Sequence, residues 1–209
     1  MTEEQPVGKT EQRRSYELGK RLEQMDETRR TVLQAARAQL EGQGYKQFSM
    51  ASLAADTGVT RQTIHNLFGT KQHLLEALFD SMAIHRGLEQ MRSVMSLNDP
   101  SAMLEGFVRV FCAFWAENQV LFRRIHGIGA IDPDFGELIN ARNQRRRAAA
   151  GRITRKWKSG SDVIEATAAL TALTSFEFYD ATAQHGISAA QAEAIVLKMA
   201  FAAVTIGPG

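Results

Sequence analysis

Apolar residues recur at helical spacing through most of this chain, and no stretch alternates polar and apolar in the manner of a strand. A short helix over about 50–56 turns Leu53 and Ala54 inward. A second follows Thr60, with Ile64 and Phe68 four apart and facing inward with Val59. Leu74, Leu75, Leu78, Phe79, Met82, Leu88, Met91 and Met95 then form a heptad-like stripe, which predicts one long fourth helix. Asn98-Asp99-Pro100 breaks it, and Pro100 suits the first turn of a helix carrying Met103, Leu104, Phe107, Val110, Phe111, Phe114 and Trp115. A shorter helix is expected around 119–127, then a glycine-rich stretch from His126 to Pro133 and a basic helix over 134–158. The last two helices fall at 162–185 and 189–206, separated by Gly186, with Ser188 and Gln191 as a capping-box start. With one helix before residue 49, the reading is all-α with about nine helices.

Local chemistry sharpens the region 49–71. Ser49 is a good N-cap, and Asp56-Thr57-Gly58 ends the first short helix because glycine readily takes the left-handed conformation past a helix end. Thr60 caps the second. Two short helices across a glycine turn are a helix-turn-helix, whose second helix lies in the DNA major groove. Arg61, Gln62, Thr63, His65 and Asn66 are left polar and outward, dense in groups that hydrogen-bond base edges and phosphates.

At this point the chain resembles the tetracycline-repressor (TetR) family of bacterial regulators. The likeness begins with Thr-Val-Leu-Gln-Ala-Ala-Arg-Ala-Gln-Leu (31–40), the first helix, then Gly44-Tyr45 and Phe48-Ser49-Met50. It continues through Leu53-Ala54, Gly58-Val59-Thr60, Thr63-Ile64, Phe68, Lys71 and Leu74-Leu75, covering residues 28–75. Two positions depart from the family pattern. His65 stands where a tyrosine is usual, and Leu67 where a histidine is frequent; both positions commonly touch the DNA backbone. His65 can still donate to a phosphate, whereas Leu67 cannot hydrogen-bond. Lys71 sits at a helix start, capped by Thr70, where the macrodipole disfavours a cation. A docked phosphate explains it, held by backbone N–H groups and the ammonium together; the plain alternative is a tolerated surface lysine. Arg29 and Arg30, with the cap hydroxyls of Ser49 and Thr60, complete the expected DNA-contacting set.

Composition limits the rest. The chain has 209 residues, 44% of them hydrophobic, and a formal net charge of +2, so bulk positive charge cannot drive nucleic-acid binding. The single cysteine, Cys112, excludes an internal disulfide framework, and its apolar surroundings read as core. No signal-peptide core or membrane-length apolar run stands out, so the expected setting is the bacterial cytoplasm, at the nucleoid when bound to DNA. The polar residues 1–23, with Arg13, Arg14, Lys20 and Arg21, read as a flexible arm or as an extension of the first helix. No Gly-x-Ser-x-Gly, Walker loop, His-Glu-x-x-His or Cys-x-x-Cys occurs, and the five histidines are dispersed, so neither an enzyme nor a metal site is expected.

The C-terminal region offers two further readings. Ala168, Thr171, Ala172 and Ser175, then Ala192, Ile195, Met199 and Ala203, put small or apolar residues at helical spacing on the last two helices. The family resemblance implies a homodimer through those helices; intrachain packing is the other use of the same residues. The aromatic stripe suggests a cavity lined by Met103, Phe107, Phe111, Phe114, Trp115, Phe122, His126, Phe176 and Tyr179, although aromatics at this spacing also simply fill cores. An apolar or aromatic effector fits such a lining; no other cofactor is implied. The cluster Arg142, Arg145, Arg146, Arg147, Arg152, Arg155, Lys156 and Lys158 spreads around its helix and reads as a solvated face or as partners for acidic residues near 132–137. The expected organisation is an arm (1–23), a helix-turn-helix domain (24–75) and a sensing and dimerisation domain (76–209). The resemblance implies a ligand-responsive repressor that binds a palindromic operator as a dimer. A DNA-bound architectural or partner-controlled factor without a small effector is the alternative.

Overall fold

The computed structural model describes residues 7–42, 48–85 and 90–205. Among them are eleven helices and no strand. The chain divides into two compact units, Met1–Ala77 and Leu78–Gly209.

The first unit begins with α1 (Val7–Gly42). The segment read as an arm or a helix extension is therefore helical from Val7 onward, and residues 1–6 lie outside the described part. Nearly half of the residues of α1 are Glu, Gln, Arg and Lys, which keep side-chain freedom in a helix, and the Glu27–Arg30 ion pair adds local support. Its later turns bury a stripe of Val32, Leu33, Ala36 and Leu40. Gly44-Tyr45 of the family pattern lies outside the described residues. Next come α2 (Met50–Thr57) and α3 (Arg61–Phe68). Leu53, Ile64 and Phe68 are buried, as is Phe48 before α2. Gly58 takes φ +68° at the turn, so a side chain there would be strained.

α4 (Lys71–His85) carries residues of both units, with Leu74 and Leu75 in the first and Leu78, Phe79 and Met82 in the second, all buried. Of the long fourth helix expected to Met95, α4 and α5 (Gln90–Val94) are described; residues 86–89, Leu88 among them, lie outside the described residues. In the second unit, α6 (Pro100–Glu117) is the central helix, with nine buried apolar residues from Met103 to Trp115. Asp99 caps it, accepting from the Ser101 and Ala102 amides. α7 (Gln119–Gly129) and α8 (Pro133–Thr154) follow. The glycine-rich segment is thus largely helical. A Cβ on Gly136 would stand 3.0 Å from the Gly129 carbonyl oxygen, so these glycines permit a close approach of α7 and α8.

The expected helix over 162–185 is two, α9 (Asp162–Leu173) and α10 (Phe176–Thr182). The Thr174 hydroxyl donates back to the Leu170 carbonyl, and the Ser175 hydroxyl accepts the Phe178 amide to cap a new start. α11 (Ala189–Thr205) closes the unit and packs on α6 and α9. Ser188 and Gln191 form the reciprocal hydrogen bonds expected of a capping box.

Candidate functional site

In the first unit, caps and one buried polar cluster shape the surface. The Ser49 hydroxyl accepts the Ser52 amide at 3.0 Å while the Ser52 hydroxyl accepts the Ser49 amide at 3.0 Å. The Ser52 hydroxyl also reaches the Gln39 Oε1, and the Gln39 Nε2 donates to the Asp56 carboxylate at 2.7 Å. Gln39 is buried, so these bonds satisfy it and tie α1 to α2. Sequence reasoning missed this residue; a polar side chain inside the apolar stripe of α1 was the available signal.

On α3, Thr60 accepts the Thr63 amide at 3.1 Å and shares a hydroxyl contact with Thr63 at 2.8 Å. Arg61, Gln62, His65 and Asn66 are exposed, and Thr63 is half-buried. Gln62 Nε2 donates to Asn66 Oδ1 at 2.9 Å, one turn apart, which orients two amides on one face. The face therefore offers a guanidinium, two amides, a hydroxyl and an imidazole, which between them suit both base edges and phosphates.

The flanking cations divide. Arg29 is half-buried, donates to the Leu67 carbonyl at 3.4 Å and lies 4.8 Å from the centre of the Phe68 ring. Its place is on the end of α3, which it braces. Arg30 is exposed and paired with Glu27. Lys71 is half-buried, its Nζ 5.2 Å from the Phe48 ring centre, and the Thr70 hydroxyl accepts the His73 amide to cap α4. Leu67 is half-buried.

The second unit contains a cavity of about 250 Å³. Of the nine residues expected to line one, Phe111, Phe114, Trp115, Phe122, His126 and Phe176 do. Phe107 and Tyr179 are buried away from it, as core, and Met103 instead borders a separate polar cleft with Arg152, Arg155 and Lys156. Trp115 is fixed by donating its indole N–H to the Thr174 carbonyl at 3.0 Å, which turns its ring edge-on to Phe122 and Phe176. That carbonyl is free because the helix breaks at Thr174, so the break and the cavity wall share one cause.

Phe79, Asp80, Met91, Ile139, Arg142, Asn143, Arg145, Arg146 and Ala149 also line the cavity. The basic helix is accordingly not uniformly solvated. Arg145, Arg147, Arg152, Arg155 and Lys156 are exposed, but Arg142 pairs with Asp80 at 2.7 Å, and Arg146 is only 7% exposed. Arg146 lies 5.8 Å from the Phe111 ring centre and 5.9 Å from that of Trp115, and burial pushes its guanidinium down to about 10, opposed by the Glu177 charge. Around a helix, the circumferential spread of eight cations guarantees that some point inward; their average charge hides which.

His126 Nδ1 donates to the Glu177 carboxylate at 2.8 Å. That hydrogen bond is the main reason why Glu177 is held down at about 2, against the opposing effect of burial. Cys112 is buried, its thiol pushed up to about 12 mainly by burial, and serves as core. Among the described residues no helix is long and apolar enough to cross a membrane.

A helix-turn-helix unit joined to a second helical unit is the architecture of DNA-binding regulators. Residues 32–78 match the family described as bacterial regulatory proteins, tetR family. Solved structures are similar in fold over most of the chain. A protein of Rhodococcus sp. assigned to the TetR-family transcriptional regulators is 16% identical, covers 86% of this chain and 100% of that chain, and superposes with a TM-score of 0.66. A protein of Saccharomonospora viridis assigned as a transcriptional regulator, solved in complex with choline, is 19% identical, with 83% and 95% covered and a TM-score of 0.64. A TetR transcription regulator of Haloarcula marismortui is 16% identical, with 86% and 97% covered and a TM-score of 0.61. No curated protein matches the chain. The N-terminal segment is that of the tetR regulatory proteins, and the chain as a whole has their fold.

Proposed function

We propose that this protein is a ligand-responsive transcriptional repressor that binds a palindromic operator as a homodimer. The observation that carries the reading is the pairing of an exposed polar α3 face with an aromatic cavity in the other unit. Arg61, Gln62, Thr63, His65 and Asn66 read the major groove, while Ser49, Thr60 and Lys71 meet the flanking phosphates. Arg29 sets α3 in place, and Arg30 adds positive charge near the backbone.

One eight-residue helix reads only a few base pairs, so specificity calls for two copies held about one helical turn apart, or a multiple of it. The dimer contact is assigned to α9 and α11. Ile164 on α9 is 67% exposed, and Ile195 and Met199 on α11 are also exposed, with Ala168 and Ala172 beside them. A second copy would cover this apolar surface. Ile195→Glu combined with Met199→Glu should give a folded monomer by sedimentation; an unchanged dimer would move the interface elsewhere.

Regulation is a population shift. An effector that prefers the conformation unable to bind DNA weakens operator affinity by its differential affinity, about 5–150-fold for coupling of the usual size. α4 is the covalent route, since Phe79 and Asp80 on the cavity wall belong to the helix that starts at Lys71.

Fluorescence anisotropy with the DNA upstream of the protein's own gene, against a scrambled duplex across a salt series, tests the reading. Preference of roughly a thousandfold or more is expected. Equal, steeply salt-dependent binding to both would favour an architectural role instead.

A further inference from the structure

Among the described residues, two buried side-chain polar atoms lack a hydrogen-bond partner, Nε of Arg146 and Nε1 of Trp157; of these two residues Arg146 lines the aromatic cavity. A buried guanidinium without a counter-ion is disfavoured, and an apolar residue of the same volume would suit an aromatic core better. The neighbouring acids do not supply the missing partner. Asp80 is bound to Arg142, and Glu177 accepts from His126. The Phe111 and Trp115 rings attract the cation without offering a hydrogen-bond acceptor. The charged groups on the cavity wall are three guanidiniums against one carboxylate, Asp80.

We infer that the cavity takes a compact aromatic or aliphatic carboxylate, whose apolar body lies among Phe114, Phe122 and Phe176 and whose carboxylate docks on Arg146. Arg146 Nε and a neighbouring guanidinium nitrogen offer the two parallel donors that a carboxylate accepts bidentately. The volume sets the size of the body. An apolar cavity of about 150 Å³ holds benzene, so 250 Å³ suits one ring with a short chain. A quaternary ammonium such as the choline of the Saccharomonospora viridis structure would meet like charge here. The inference rests on the effector-binding reading and narrows it from an apolar ligand to an apolar anion.

Isothermal titration calorimetry on the full-length, DNA-free protein tests it with 3-phenylpropionate, indole-3-acetate and octanoate. Each is compared with its alcohol, and 3-phenylpropionate also with (2-phenylethyl)trimethylammonium. At least one carboxylate should bind tenfold or more tighter than its alcohol, and the ammonium should not compete. Arg146→Met should abolish that preference while melting at the same or a higher temperature without ligand. The inference fails if no carboxylate binds, if alcohols bind equally, or if the ammonium binds tighter. It fails too if Arg146→Met keeps the preference, or melts so much lower that Arg146 is a structural strut. A carboxylate that binds through Arg146 but never releases DNA would break the regulatory reading and leave the site standing. DNA release by neutral ligands alone would do the reverse.

Discussion

Arg61 and Arg146 are the same residue in opposite circumstances. Arg61 lies exposed on a short helix whose ends are set by Thr60 and Gly69, and its surroundings are written within ten residues of it. Arg146 is buried, and its surroundings come from α4, α5, α6, α7, α8 and α10, up to roughly seventy positions away in sequence. A surface that acts through exposed groups can be specified locally. A cavity acts through what packing leaves unfilled, and long-range contacts decide that.

Mutations should separate the two regions, and the largest effect belongs to the solid part of the second. Phe107 is fully buried and edge-on to Phe111, with ring centres 5.0 Å apart. Phe107→Ala should lose about 3–5 kcal/mol in urea unfolding. Phe176→Ala, at the cavity wall, should lose clearly less, because part of its ring already faces empty space. Equal losses would mean that the cavity is not a void in solution.

The first unit should respond in function without losing its fold. Arg61→Ala is expected to weaken specific DNA binding by about 1–3 kcal/mol with little change in melting temperature, read by anisotropy and calorimetry. Unchanged selectivity would remove Arg61 from base readout. Gly58→Ala should do the opposite, destabilising the unit by about 1–2 kcal/mol because φ is +68° there. Lys71→Ala should weaken specific and scrambled duplexes alike and lower the salt slope by about one counterion. A slope that does not move would mean that Lys71 touches no phosphate.

The smallest effect is a pH dependence in the second unit. Glu177 sits at about 2 against an ordinary 4.5, so its contribution is complete above 4.5 and disappears as pH falls toward 2. Glu177→Gln should flatten that part of the stability curve, measured by thermal melts between those values. The amplitude should be modest, because the carboxylate is largely exposed to solvent.

This contrast explains what could be read from the sequence. The all-α fold and the helix-turn-helix followed from apolar spacing, Ser49, Thr60 and Gly58, all acting within a turn or two. The seat of Arg29 against Phe68 was not legible, because the two residues lie 39 positions apart. The helix break at Thr174 leaves a carbonyl that Trp115 takes from 59 positions away, a contact that helical periodicity cannot register. Phe111, Phe114 and Trp115 on the cavity wall were legible as an aromatic stripe, since α6 must turn that stripe inward. Phe107 and Tyr179 share the same character but face filled space, and only packing distinguishes a filled side from a hollow one. Arg146 was hidden for the converse reason: charge predicts exposure until a fold surrounds it.

Sequence reading by α3 is the central claim, and selection from a pool of random duplexes tests it without prior choice of an operator. The account predicts enrichment of a palindrome whose half-sites lie about one helical turn apart, or a multiple, bound by two protomers, with Arg61→Ala relaxing the consensus. A pool that binds but enriches no common sequence would contradict it.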